Sequence, residues 1–208
     1  SHLKSELELT VEGDWSSASF WFVAAAINGD ITIDGLSVNS LQPDRAILEI
    51  VDQYGAELCI YDDSVSVKSS GSNSFEYDAT DSPDLIPILA VLAIFSNGES
   101  SIRGVQRLRF KESDRLICIE DTLKSLGIQY TVLDEFIKIK GKKVSENAVE
   151  LASSHSFQSS SDHRIAMMNS ILALYLICTN IKGIEVVEKS YPNFYNDFEN
   201  LGGRIKFN

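Results

Sequence analysis

The feature that most constrains the fold of this chain is an internal repeat, in which one pattern recurs three times at intervals of roughly 70 to 80 residues. Each copy opens with Ser and Asp residues, which favour helix starts, followed by a long apolar run. A helix that is apolar on every side is buried on every side, so these runs predict core helices. The openings and runs are Gly13–Ser19 before Phe20–Ile27, Ser82–Asp84 before Leu85–Phe95, and Ser160–Arg164 before Ile165–Cys178.

After each apolar run, the pattern predicts a strand, an amphipathic helix that ends at a glycine, and further strand sequence. The closing strands alternate apolar and polar residues, so each has one solvent-exposed face. The sequence therefore predicts one α/β (α+β) domain of three βαβ-type units, with buried helices and sheets outside. The predicted elements are strands Ile31–Ile33, Ser101–Ile102 and Ile184–Val187; helices Asp44–Tyr54, Ser113–Leu126 and Pro192–Leu201; and closing strands Glu57–Tyr61, Ser64–Lys68, Gln129–Leu133, Phe136–Lys140 and Arg204–Phe207.

Charge and composition exclude several classes of protein. The net charge of −12 argues against a nucleic-acid binder and against binding to anionic membranes. The apolar runs are too short to span a bilayer. The three cysteines lie in apolar runs without a CxxC pair, which predicts buried, reduced thiols in a cytoplasmic protein. The histidines lack metal-ligand spacing, so we expect no metal, and no P-loop or Rossmann glycine pattern is present.

Basic residues gather at predicted helix starts despite the acidic composition. Lys111, Glu112 and Arg115 surround a helix N-terminus, where backbone N–H groups and the helix dipole favour anions. The alternative interpretation is a solvated, salt-bridged helix start. Likewise, Asp162 could simply cap its helix and leave the next two residues exposed, but a charged Arg164 against an apolar helix needs a partner or a ligand.

The set of residues is more informative than its members. If the repeat makes the N-termini of the buried helices converge, then Asp84, Arg115, Arg164 and Lys189 would face one pocket. Such a pocket suits a ligand with several negative charges, and the carboxylates would be available for proton transfer.

Four segments resemble signature sequences of the 5-enolpyruvylshikimate-3-phosphate synthase family, and their order and spacing match. The resemblance implies two similar domains, each with three βαβαββ units, that close on the substrates. Residues 1–12 would be a hinge strand or chain end, residues 13–208 one domain, and the N-terminal domain would be absent. The implied reaction moves the carboxyvinyl group of phosphoenolpyruvate to the 5-hydroxyl of shikimate 3-phosphate and releases phosphate, without a cofactor. The segments are Gly13–Ser19, Lys111–Arg115, Asp162–Met167 and Lys189–Phe194.

The resemblance also implies roles for individual residues. Asp84 would contact and help deprotonate the attacking hydroxyl, and Glu112 would lie near the phosphoenolpyruvate methylene. Arg115 and Arg164 would hold the carboxylate and phosphate of phosphoenolpyruvate, because a guanidinium can bind either group through two parallel hydrogen bonds. Lys189 would assist with the phosphate.

Three further positions follow from the same resemblance. Lys111, together with Asp84, would contact shikimate 3-phosphate, and His163 would line the site. Arg107 stands where some members carry an Asn that contacts shikimate 3-phosphate, so that contact is left open. Two other functions are compatible with the sequence. They are the related UDP-N-acetylglucosamine enolpyruvyl transferase and an anion-binding domain without catalysis.

Overall fold

A computed structural model of the chain describes residues 11–141, 154–176 and 178–206. Helices and strands are interspersed along the described residues, and each of four short 3-10 segments precedes a helix. The helices are α1 (Trp15–Asn28), α2 (Ile47–Tyr54), α3 (Ile86–Ile94), α4 (Arg115–Ser125), α5 (His163–Ala173) and α6 (Phe194–Asn200); the 3-10 segments are Pro43–Ala46, Pro83–Leu85, Val105–Phe110 and Ile184–Lys189. The strands are β1 (Asp30–Asp34), β2 (Glu57–Ile60), β3 (Ser64–Lys68), β4 (Glu76–Asp78), β5 (Glu99–Arg103), β6 (Gln129–Val132), β7 (Phe136–Lys140), β8 (Ser154–Gln158) and β9 (Cys178–Lys182).

The centre of the fold consists of the three apolar helices α1, α3 and α5, which contact one another. Every residue of α3 is buried, as are the apolar runs Ala18–Ile27 of α1 and Ile165–Leu172 of α5. Such helices cannot present a polar face to water, so each must be surrounded by the rest of the chain. The predicted core of buried helices is confirmed.

The sheets lie outside this helical core. One is antiparallel with the order β1-β3-β2, one is mixed with the order β4-β5-β7-β6, and the third pairs β8 with β9 in parallel. In β3 and β7 alternate residues are buried, so that Val65 and Val67, or Ile137 and Ile139, pack on the core. The predicted strands with one exposed face are therefore confirmed.

The middle of the chain contains one complete βαβαββ unit. It runs from β4 through α3, β5, α4 and β6 to β7. The parallel pairing of β4 with β5 requires a crossover, which α3 supplies, and the unit then closes with the antiparallel hairpin of β6 and β7. The parallel pair β8 and β9 repeats this crossover through α5 in the last part of the chain.

The sequence prediction was wrong in this last part. The apolar run Ile165–Cys178 is helical only to Ala173, and the chain then forms successive turns up to Leu176. The strand lies at Cys178–Lys182, while the predicted strand Ile184–Val187 is part of a 3-10 segment. Residues 204–206 form no strand, and Phe207 lies outside the described residues.

Predictions were also made for the cysteines and for a hinge segment at the start of the chain. Cys59 is exposed and Cys118 is half-buried, so the expectation of buried thiols was wrong for both, although both are free thiols. The proposed hinge segment lies almost entirely outside the described residues, which begin at Val11. No described helix combines the length and the apolar composition needed to cross a bilayer.

Candidate functional site

The candidate site is centred on Arg115, a buried arginine surrounded by three carboxylates. Its Nε donates to Asp162 Oδ2 at 2.7 Å, Nη1 to Asp84 Oδ1 at 2.7 Å, and Nη2 to Glu112 Oε2 at 2.6 Å. The Arg115 side chain is only 1% exposed. A guanidinium has five N–H donors, so two remain beyond these three bonds.

Asp84 in turn gathers three cations. Besides Arg115, its Oδ1 contacts Lys111 Nζ at 3.1 Å, and its Oδ2 contacts Arg164 Nη2 at 3.3 Å. Arg164 Nη1 also donates to the backbone carbonyl of Asp84 at 3.4 Å. Arg164 was predicted from the sequence to need a partner or a ligand, and Asp84 is that partner. We call the six residues Asp84, Lys111, Glu112, Arg115, Asp162 and Arg164 the ion cluster.

Local sequence explains why these side chains meet. Asp84 lies in the 3-10 segment Pro83–Leu85 that leads into the buried helix α3. Arg115 is the first residue of α4, whose N-cap is Asp114, and Arg164 is the second residue of α5, whose N-cap is Asp162. Because α3 and α5 pack against each other and α4 contacts both, three helix starts converge at one place.

The electrostatics of the ion cluster favour charged forms. Partial burial would raise the pKa of the Asp84 carboxyl, but Arg164, Lys111 and Arg115 outweigh it and lower that pKa below its ordinary 3.8. Burial would lower the pKa of Arg115, yet its hydrogen bond to Asp162 and the nearby Glu112 and Asp84 raise it. Asp84 is thus a carboxylate near neutral pH, and Arg115 stays charged.

Two residues extend the surroundings of the cluster. His163 lies beside Arg164, and its pKa is lowered by burial and then by the Arg164 charge, so its imidazole is neutral at pH 7. Asp44 was not singled out from the sequence. Its pKa is raised by burial, with Arg164 opposing and Asp84 adding to the shift. The sequence signal for Asp44 is its place at the start of the predicted amphipathic helix Asp44–Tyr54 in the first repeat.

Not every predicted residue joins the cluster. Lys189 is the exposed last residue of the 3-10 segment Ile184–Lys189. Among the described residues, no ion pair links Lys189 to the ion cluster. Arg107 is exposed and donates from Nη1 to the Thr80 carbonyl at 2.7 Å. Asp162 is also a partner of Arg115, whereas the sequence predicted only a helix cap at this position.

The arrangement suits recognition of a ligand with several anionic groups. Arg115, Arg164 and Lys111 supply charge-assisted donors, and the exposed sides of Asp84 and Glu112 supply carboxylates for proton transfer. The described residues contain no group of three or more His, Cys, Asp or Glu that could hold a metal ion.

Comparison of the sequence with known proteins identifies a family. The family described as EPSP synthase (3-phosphoshikimate 1-carboxyvinyltransferase) matches residues 1–198. This chain belongs to the EPSP synthase family. Among its curated relatives, the 3-phosphoshikimate 1-carboxyvinyltransferase of Clostridium acetobutylicum is 41% identical over 197 residues, which are 94% of this chain and 44% of that protein. The 3-phosphoshikimate 1-carboxyvinyltransferase of Aeropyrum pernix is 38% identical, over 96% of this chain and 45% of its own length.

Solved structures agree with the family assignment. An EPSP synthase from Acinetobacter baumannii superposes with a TM-score of 0.79 at 28% identity, covering 94% of this chain and 47% of that chain. The enolpyruvyl transferase NikO from Streptomyces tendae shares the fold, with a TM-score of 0.69 at 18% identity. The enolpyruvyl-transferase-like fold predicted from the sequence is confirmed. The chain spans a little under half the length of the relatives that it matches.

Proposed function

We propose that this chain supplies the phosphoenolpyruvate side of an EPSP synthase active site. In that reaction the 5-hydroxyl oxygen of shikimate 3-phosphate bonds to C2 of phosphoenolpyruvate, while the methylene carbon gains a proton. That carbon then loses a proton, the bond to the phosphate oxygen breaks, and phosphate leaves. The observation that carries the proposal is the ion cluster, where three cations and three carboxylates meet at converging helix starts in a chain of this family.

The proposal assigns the cations to the anionic substrates. Arg115 and Arg164 would bind the carboxylate and phosphate of phosphoenolpyruvate, and Lys111 would contact shikimate 3-phosphate. The hydrogen bonds formed among the described residues use three of the five N–H donors of Arg115, and the Arg164 side chain is 13% exposed, so both can bind a ligand. Fixed cations in a site from which closure excludes water stabilise developing negative charge more strongly than mobile solvent does.

Asp84 would act on the attacking hydroxyl, but in the structure it contacts the same cations that the substrates need. Because those cations lower its pKa, Asp84 is a weak base in this state. An anionic substrate that draws Arg164 and Lys111 away would raise the basicity of Asp84. Substrate binding would thereby prepare the carboxylate for its role in catalysis.

Glu112 would serve the methylene carbon, since its side chain is 51% exposed while one oxygen is held by Arg115. His163 would line the site as a neutral imidazole. Lys189 would approach the phosphate only in the substrate complex, because its exposed position leaves it free to move toward the cluster on closure.

The proposal includes a second domain and a location. Residues 13–208 would form the C-terminal domain, and the N-terminal domain would contribute the remaining substrate contacts. The relatives are more than twice as long as the matched region, which supports a partner domain. We also place the protein in the cytoplasm, in agreement with the free thiols of Cys59 and Cys118.

The test measures phosphate release and product formation from phosphoenolpyruvate and shikimate 3-phosphate. The 208-residue chain alone should show no turnover, whereas a polypeptide with the complementary N-terminal half in front should turn over. In that longer polypeptide, Asp84→Asn and Glu112→Gln should each lower kcat by roughly 10²- to 10⁴-fold. The matched control is Asp121→Asn, because Asp121 is an exposed α4 carboxylate that pairs with Lys124 on the same helix.

Two outcomes would contradict the proposal. One is a longer polypeptide that uses UDP-N-acetylglucosamine rather than shikimate 3-phosphate as acceptor. The other is a longer polypeptide that binds phosphoenolpyruvate but never releases phosphate, which would indicate an anion-binding protein without catalysis. Full activity of the Asp84→Asn variant would refute the role given to that carboxylate.

A further inference from the structure

We propose that Asp162 is the positioning residue of this site, and that its two carboxylate oxygens fix the two arginines separately. Oδ2 accepts from Arg115 Nε at 2.7 Å and from the Ser113 hydroxyl at 3.2 Å. Oδ1 accepts from the backbone N–H of Arg164 at 2.9 Å, which makes Asp162 the N-cap of α5. One side chain therefore holds the guanidinium of Arg115 and the backbone of Arg164.

The three carboxylates around Arg115 differ in how far they reach solvent. The Asp162 side chain is 0% exposed, whereas those of Asp84 and Glu112 are 31% and 51% exposed. A ligand that enters from solvent can displace the exposed carboxylates, but it cannot reach Asp162. Asp162 thus holds Arg115 at Nε from the buried side, whereas the two terminal nitrogens donate to the partly exposed carboxylates of Asp84 and Glu112.

The backbone turn before Asp162 also helps to fix the position of the Asp162 side chain. Ser160 and Ser161 have φ values of 54° and 58°, in the left-handed region that residues other than glycine rarely adopt. The turn is held by the Asp162 N–H, which donates to the Ser159 carbonyl at 3.0 Å, and Ser159 N–H in turn donates to Lys182 on β9. Two successive unfavourable residues persist only where the surrounding contacts impose them.

The charge of Asp162 is essential to this role. In Asp162→Asn, the amide oxygen can still cap α5, since Asn is as good an N-cap as Asp. The amide cannot at the same time offer Arg115 Nε an anionic acceptor, and its NH₂ group would face another donor. The variant therefore separates the hold on Arg115 from the capping of α5.

The test uses the 208-residue chain and observes the Nε–Hε group of Arg115 by ¹H–¹⁵N NMR. In the unmodified chain this signal should be sharp and exchange slowly with water. In Asp162→Asn it should shift or disappear, and the affinity for inorganic phosphate should fall about tenfold or more. Asp114→Asn is the matched control. It makes the same change at the N-cap of α4, where Asp114 accepts from Ile117 N–H, and should leave both readouts unchanged.

The phosphate readout rests on the proposed function, whereas the Arg115 signal does not, so the two can fail separately. A folded Asp162→Asn chain with an unchanged Arg115 signal would overturn the proposal. If that variant does not fold, the unmodified chain still decides, because fast solvent exchange at Arg115 Nε–H would also refute it. Ser113→Ala, which removes one bond to Oδ2 without changing charge, should change the Arg115 signal less than Asp162→Asn does.

Discussion

Arg115 is the residue on which the most buried charge depends. Removing it leaves Asp162 buried without a counter-charge, and losing one partner of a buried ion pair costs about 3–5 kcal/mol. We therefore expect Arg115→Met to lower the free energy of unfolding in urea by about that amount. Arg103→Met is the control, because Arg103 pairs with Glu135 where both side chains are nearly half exposed, and should cost at most about 1 kcal/mol. Equal losses in the two variants would contradict the importance of burial.

Asp44 and Asp84 should respond to pH in opposite directions. The pKa of Asp84 is lowered, so its contribution to stability is present above its unfolded pKa and is lost as pH falls through the folded value, below 3.8. The pKa of Asp44 is raised by burial, so its contribution is present below its unfolded pKa and is lost as pH rises through the folded value.

The opposite pKa shifts of Asp44 and Asp84 predict different effects when each residue is replaced by Asn. At pH 7, Asp44→Asn should raise the free energy of unfolding, while Asp84→Asn should make the decline in stability below pH 4 shallower. Denaturant unfolding at several pH values would show both effects. A carboxyl titration that places Asp84 above Asp44 would contradict the two assignments together.

Among the elements, α3 shows most directly how packing stabilises this fold. Its nine residues are all buried, and it contacts α1, α5 and two strands of the mixed sheet. Leu89→Ala should lower the free energy of unfolding by about 2–5 kcal/mol, because the surrounding helices cannot collapse into the cavity. Leu133→Ala, in the exposed turn between β6 and β7, should change it by less than about 0.5 kcal/mol. Thermal or urea unfolding would compare the two.

The elements also show which parts of the fold a sequence can predict. Local sequence patterns correctly predicted α1, α3, α4 and the hairpins β2–β3 and β6–β7. The strands β4 and β8 were missed, because β4 has only three residues, β8 is rich in serine, and each pairs in parallel with a strand that is distant in sequence.

The end of α5 was predicted too late for a tertiary reason. The apolar run continues past Ala173, but the chain turns so that the Tyr175 ring packs near Phe95 and its hydroxyl donates to the Ala24 carbonyl. In the candidate site, residue types could be predicted from the sequence. Which carboxylate pairs with which cation depends on helix packing and could not be predicted.

At the scale of the whole molecule, the net charge of −12 opposes anion binding, and the ion cluster itself adds no net charge. Its cations Lys111, Arg115 and Arg164 are matched by three carboxylates. Phosphate must therefore compete with Asp84, and the affinity of the chain alone should be weak, on the order of millimolar. Since screening acts over roughly 8 Å at ~0.15 M salt, binding should weaken further as salt is added.

If Asp84 competes with phosphate for the cations, replacing Asp84 should strengthen phosphate binding. If Asp84 instead helps to bind the phosphate, replacing it should weaken binding. Asp84→Asn should tighten phosphate binding several-fold, because it releases Arg164 and Lys111 from their internal partner and leaves the cluster with one net positive charge. Arg164→Ala should weaken binding, whereas Arg107→Ala, which removes a contact with the Thr80 carbonyl outside the ion cluster, should change it little. NMR titration of the four chains with phosphate would measure these affinities. Weaker binding in Asp84→Asn would mean that Asp84 helps to build the anion site and does not compete for it.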